Sequence, residues 1–271
     1  TAEDLKAAGA MAVLLKDAVR PNLLQTLEGQ PALIHCGPFG NIATGNSSIV
    51  ADHVGLSRSD IVVTEAGFGA DLGYERFVNV KCRTSGFVPD AAVVVVTVRA
   101  LKVHSGRFKV VAGKPLPPEL LEENPDDVAA GLSNLAHHLD IVAGAGVPAV
   151  VAINAFPDDH ASEHAVIERF ARQRGVRVAI TRHVAAGGAG AQDLVREVLA
   201  ATQEGTRLRY TYDLDDTLHD KLHLLATRVY GAAGVELTPA AAADLKRFTA
   251  LGYGSLPVLV AKTHLSTTAT P

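Results

Sequence analysis

The chain has 271 residues, 48% of them hydrophobic, a net charge of −4 and two cysteines. That is enough apolar sequence to bury a large core, as one large domain or two smaller ones. Basic residues are spread rather than clustered, so the electrostatic footprint of a nucleic-acid binder or of an anionic membrane surface is absent, and small molecules are the expected partners.

The first residues, Thr1-Ala-Glu-Asp-Leu-Lys6, have neither the basic start nor the apolar stretch of a signal peptide. The longest apolar runs, 91–98 and 147–153, fall far short of the roughly 20 residues that cross a bilayer. With only Cys36 and Cys82, a reduced cytoplasmic setting is expected. In chain order, the periodicity predicts helices over 3–18 and 45–56, then a strand over 61–64 running into the turn Glu65-Ala-Gly-Phe-Gly-Ala-Asp-Leu-Gly73. A helix-like segment follows, then a strand over 91–98. After the proline-rich Gly113-Lys-Pro-Leu-Pro-Pro118 come a helix over 126–143, a strand over 147–153, a helix over 158–174 and a strand over 176–180. Helices over 191–203, 215–230 and 239–251 and a strand over 256–261 complete the chain. The proline-rich stretch suggests a joint, dividing the chain into 1–112, a connection 113–125, and 126–271.

Apolar runs without alternation predict strands covered on both faces, and the strand-helix alternation predicts parallel pairing in an α/β fold. In such sheets ligands sit at the carboxyl ends of the strands. The residues following the runs are therefore the candidates: Glu65 to Gly69; Arg99-Ala-Leu-Lys102-Val-His104; Asn154-Ala-Phe156-Pro-Asp-Asp159; and Ala185-Ala-Gly-Gly-Ala-Gly190. All four are expected on one edge of the sheet.

Gly67 and Gly69 can take positive φ and bring backbone N–H groups close to an anion, while Asp71 in the same turn suggests that more than phosphate is read. A dinucleotide site fits poorly, because the glycine spacing is one residue long and no acidic residue ends the next strand. A ligand-free tight turn is the alternative. Arg99 and Lys102 are spaced to clamp an anion from one helical face, with His104 as a proton donor; a solvated helix end is the plainer reading.

His160-Ala-Ser-Glu163-His164 matches an inverted zinc-peptidase pattern, yet it stands at a helix start where polar residues serve as caps. No third ligand is identifiable. Gly113-Lys114 is followed by proline, and no phosphate-loop sequence occurs in residues 1–271. Cys82 lies between Lys81 and Arg83 without a base and reads as structural. His137, His138, His219 and His223 read as solvated helix faces.

Several longer motifs, in order, resemble one family: Gly9-Ala-Met-Ala-Val-Leu-Leu-Lys-Asp17, Gly37-Pro-Phe-Gly-Asn-Ile-Ala43, 64–73 with Lys81-Cys-Arg83, Val96-Thr-Val-Arg-Ala-Leu-Lys102 with His104, Val151-Ala-Ile-Asn-Ala-Phe-Pro157, and Leu256-Pro-Val-Leu-Val-Ala-Lys-Thr263. The chain resembles formate-tetrahydrofolate ligases over essentially its whole length. The resemblance implies a mostly parallel sheet flanked by helices, in phosphate-loop NTPase-like or Rossmann-like layers, with the family's phosphate-loop segment lying upstream of Thr1 and the family continuing past Pro271. It implies a two-step reaction in which formate attacks the terminal phosphate of ATP and the formyl phosphate then formylates tetrahydrofolate at N10. ATP, magnesium, a candidate monovalent cation and tetrahydrofolate are the implied small molecules.

The implied catalytic residues are Arg99, Lys102 and His104. The implied substrate contacts are Glu65, Gly67, Gly69, Asp71, Asn154, Phe156 and Asp159, with Phe156 as a flat surface for the folate ring. Val184 and Ala186 stand where the family places tryptophan and lysine, and Thr44 and Asn46 where it places histidine and cysteine. The implied state is a homo-oligomer or a complex with a phosphate-loop-bearing segment, the chain alone being inactive. A noncatalytic folate- or nucleotide-binding relative and a zinc hydrolase are the alternatives.

Overall fold

The computed structural model describes residues 1–37, 39–111 and 113–264; Pro38 of the Gly37 to Ala43 motif, Ala112 at the end of the first expected segment, and residues 265–271 lie outside them. Helix α1 (Ala8–Leu15) is shorter than the expected 3–18 because Lys6 takes a positive φ of 53° and interrupts the helical backbone. Strands β1 (Asn22–Gln25) and β2 (Pro31–Ile34) form an antiparallel hairpin that the apolar pattern did not signal. Helix α2 (Ile49–Leu56) is capped by the Ser48 side chain, which accepts from the Ala51 N–H.

The run 61–64 does not become a paired strand. Ile61 and Val63 are exposed, and among the described residues the only ladder contact near them is an isolated bridge between Asn46 and Ala66. After the glycine turn comes helix α3, in successive pieces Ala70–Tyr74, Phe77–Cys82 and Arg83–Ser85, the first two wound as π-helix. Gly73 makes this entry possible: its N–H donates to the Gly67 carbonyl, and a Cβ there would collide with the Gly67 backbone.

Three apolar runs do become a parallel sheet: β3 (Ala92–Val96), β4 (Ala149–Asn154) and β5 (Arg177–Thr181), in the order β3-β4-β5. Between β3 and β4 lie α4 (Val98–His104) and α5 (Pro125–Gly144); α6 (Ala161–Gln173) joins β4 to β5. One face of the sheet, with Val94, Val96, Val151, Ile153, Val178 and Ile180, packs on Val128, Leu135 and Leu139 of α5 and Val166, Ile167 and Ala171 of α6. Helices α4 and α5 cross closely because Gly131 lies directly against the Leu101 carbonyl. After the short α7 (His183–Ala186), helix α8 (Gln192–Thr202) covers β4 and β5 on the other face. β3 departs from the expectation of two covered faces: Val93 and Val95 remain 42% and 65% exposed. Because β3 pairs with β4, one sheet runs through both sides of the proline-rich connection.

Helices α9 (Leu218–Arg228) and α10 (Pro239–Ala250) follow, each started by a threonine cap. The run 256–261 joins no ladder among the described residues. Its carbonyls go instead to side chains. The Lys221 ammonium, on a residue with 0% exposure, donates to Leu214 O at 2.7 Å, Gly254 O at 2.7 Å and Leu256 O at 3.1 Å. The equally buried Arg76 guanidinium donates to the carbonyls of Gly40, Ala43 and Val260. Replacing one such group strands several buried acceptors at once, so Arg76→Met is expected to cost about 3–5 kcal/mol of unfolding free energy in urea titrations. Proteolysis is expected to start in the 39–45 and 256–262 segments.

Glu75 is a buried carboxyl of a different kind. Asn79 donates to its Oε1 at 2.8 Å and also reaches Thr211, but Oε2 has no partner beside a cavity of about 80 Å³. Burial pushes its pKa up to about 7, against opposing effects of Asn79 and Arg76, from an ordinary 4.5. Folding therefore favours protonated Glu75, and stability from this group is full below pH 4.5 and lost as pH rises toward 7. Relative to Glu75→Gln, the native chain is expected to lose about 3–6 °C of Tm between pH 5 and 7.5, measured by differential scanning calorimetry.

Candidate functional site

The carboxyl edge of the sheet is built by three strand ends and their first helical turns. Thr97 ends β3 and caps α4, its Oγ1 accepting from Ala100 N at 3.1 Å, which places Arg99 in the first turn. The Arg99 guanidinium lies over the Phe156 ring, 4.2 Å from its centroid, and pairs with Asp158 at 3.0 Å. The loop after β4 is fixed from within: the Asp159 carboxylate accepts from the Phe156 N–H at 2.9 Å and from His164 Nε2 at 3.2 Å, and the Ala155 N–H donates to Thr181 O at 3.0 Å. Phe156 remains 37% exposed. At the end of β5, Thr181 Oγ1 and His183 Nδ1 lie 2.9 Å apart, and the Gly188 N–H donates to Glu28 of the β1–β2 hairpin at 2.7 Å.

Arg99, Phe156 and Asp159 are thus brought together on this edge, where Asn154 ends β4 beside Thr181. Lys102 is not their neighbour in solvent. It is 1% exposed, its ammonium donates to Leu120 O at 3.1 Å and Glu122 O at 2.6 Å, and it forms an ion pair with Glu163. The spacing from Arg99 was right for one helical face, but that face turns inward. His104 is exposed at the far end of α4 from Arg99.

Glu163 accounts for the zinc-like pattern. Besides Lys102, its carboxylate accepts from the backbone N–H groups of Asn124 and His160. Burial works to raise its pKa, but the bonds from Lys102, Asn124 and His160 hold it below the usual carboxylate range. His164 is engaged by Asp159. Among the described residues, no group of three or more His, Cys, Asp or Glu side chains converges to hold a metal.

The glycine turn does not lie on this edge with the other three segments. It packs against the second half of α5, where Ala70 and Tyr74 meet Val142, Ala145 and Val147, and the Ala70 N–H donates to His138 Nδ1 at 3.1 Å. Asp71 is buried and pairs with Lys262 at 2.8 Å, while Glu65 is exposed. Phe68 stacks on His264 at 4.8 Å, and the Lys262 N–H donates to Asn41 O. Gly67 and Gly69 therefore serve a junction of the 39–43 loop, the turn and the 256–264 segment.

His138 is the residue that sequence reasoning missed. Rather than facing solvent, it is half-buried, and burial lowers its pKa despite the nearby Asp71 carboxylate, with His137, His104 and Lys262 adding to the lowering. The neutral ring keeps the Nδ1 lone pair that the Ala70 N–H needs. Nothing local to His138 signals this, because its partner lies 68 residues away. Cys82 is buried, and burial pushes its thiol up to about 11, as a structural thiol requires.

The architecture and its motifs coincide with one family. A formate–tetrahydrofolate ligase family model matches residues 1–271. The chain is 57% identical over 271 residues to a formate–tetrahydrofolate ligase of Cutibacterium acnes and 58% identical to one of Saccharopolyspora erythraea, covering 100% of this chain and 48% of each relative. Formate–tetrahydrofolate ligase 3 of Rubrobacter xylanophilus is 55% identical over 280 residues, with 49% of its length covered. The chain spans about half the length of the curated relatives it matches. No helix among the described residues is long and apolar enough to cross a membrane. This chain belongs to the formate–tetrahydrofolate ligase family.

Proposed function

We propose that this chain supplies the Arg99–Phe156 surface of an ATP-dependent ligase that joins formate to tetrahydrofolate through formyl phosphate in the cytoplasm. The observation that carries the reading is the stacked pair itself: a guanidinium and an aromatic face, drawn from two separate motifs, meet at 4.2 Å on the carboxyl edge of a parallel sheet. The Asp158 partner of Arg99 is itself exposed, so an anionic ligand can exchange with it at little cost. In this reading Arg99 holds a carboxylate or phosphoryl oxygen by charge-assisted hydrogen bonds. Phe156 offers its ring to a flat heterocycle.

Lys102 acts through position. Its pairing with Glu163 ties α4 to the start of α6, which flank the two sides of the Arg99–Phe156 contact. No phosphate-loop sequence occurs in residues 1–271, so the ATP cradle is assigned to family sequence beyond this half. His104, Glu65, Gly67, Gly69 and Asp71 are assigned supporting rather than substrate-touching roles.

The test joins this chain to the flanking sequence of the Cutibacterium acnes relative and follows ADP release with formate and tetrahydrofolate. The chain alone is expected to show no turnover, and robust turnover by it would overturn the assignment of the ATP cradle to outside sequence. In the joined protein, Phe156→Ala is expected to raise the KM for tetrahydrofolate roughly 10-fold with the KM for ATP within about 2-fold. Equal effects on both would identify Phe156 as packing. A joined protein that binds tetrahydrofolate without releasing ADP would make the chain a noncatalytic relative.

A further inference from the structure

Strand β3 has the sequence of an interior strand and the position of an edge. Ala92-Val-Val-Val-Val96 contains no charge and no proline, two of the devices by which soluble proteins blunt a free edge. The opposite edge does carry one, since β5 opens on Arg177, which pairs with Glu197 and Glu204. Among the described residues β3 pairs with β4 alone.

The contrast is sharpest between cross-strand neighbours. Val93 and Val95 lie beside Val150 and Ala152 of β4. The β4 residues are 0% and 2% exposed, because α8 covers that face, whereas Val93 and Val95 are 42% and 65% exposed. On α8, Glu197 marks the flank turned toward β5. At ~100° per residue, Val195 and Leu199 fall on the other flank, toward β3, and they are 52% and 44% exposed. Two bare valines form a floor, two α8 side chains form a wall, and an unpaired strand edge closes the third side.

We infer that this groove is the docking site for one further parallel strand and its following helix, taken from the half of the family sequence that this chain does not span. The inference rests on the reading of the chain as part of a full-length family member. The amount of sequence available supports that occupant, because 52% of the Cutibacterium acnes relative lies outside the 48% that is matched. A second copy of this chain fits less well. Two-fold pairing of β3 with its twin satisfies the edge but brings a second pair of uncovered valines instead of a covering helix.

Hydrogen exchange read by mass spectrometry tests this on the chain as it stands and on the same chain joined to the flanking Cutibacterium acnes sequence. The amides of 93–96 are expected to exchange fast in the chain alone and roughly 100-fold more slowly in the joined protein, with Val95→Lys abolishing the protection. Equal exchange in the two proteins overturns the inference. So does protection in the chain alone that grows with its concentration, which identifies a second copy as the occupant. A measurement independent of the joined protein's folding is the Tm of Val95→Lys in the chain alone: it is expected unchanged within about 1 °C, and a loss of several degrees means the face is already covered. ADP release is scored separately, so a protected but inactive joined protein sinks the ligase reading and leaves the docking site standing.

Discussion

Three buried cations hold this structure where secondary structure does not. Arg76, Lys102 and Lys221, all at most 1% exposed, each donate to two or three backbone carbonyls, nearly all of them in segments that belong to no helix or strand. A carbonyl buried without a partner costs about 1–3 kcal/mol, and each of these side chains satisfies two or three of them. The 39–43 loop, the 120–122 bend and the 254–260 segment can therefore lie inside the fold as irregular chain. Among the described residues only Lys102 of the three also has a direct carboxylate partner, so for Arg76 and Lys221 the carbonyl dipoles themselves offset the desolvation of the charge.

That frame determines the edge. Lys102 and Glu163 lock α4 to the amino end of α6, and the same Glu163 closes the capping box that starts α6. Asp159, just before it, holds both the Phe156 backbone and His164. Arg99 and Phe156 consequently meet on two rigid supports, each held by its own buried network.

The regular part of the fold was legible because its signals are local. The runs at β3, β4 and β5 and the helices α5, α6, α8, α9 and α10 follow from apolar periodicity, proline and threonine or asparagine caps. The runs 61–64 and 256–261 have the same composition but no neighbouring ladder, and composition alone does not say which partner will be present. On the sheet edge, the positions of Arg99, Asn154, Phe156 and Asp159 follow from their place after β3 and β4. Lys102 was misplaced because spacing gives the face of a helix without saying which way that face turns. The glycine turn follows an apolar run that joins no ladder, so position after a strand misplaces it, while its neighbours, His138 and Lys262, are distant in sequence and carry no pattern that links them to it.

The surface pair Arg99–Asp158 and the buried cation–carbonyl bonds differ in how they respond to dissolved ions. At physiological ionic strength charges in solvent are screened over about 8 Å, whereas groups sealed from water are screened far less. Added salt therefore loosens Asp158 from Arg99 before it touches Arg76, Lys102 or Lys221. The guanidinium becomes free on an undisturbed support, so the pairing of this one exposed cation is set by the medium as much as by the protein, while the buried ones answer to the fold alone.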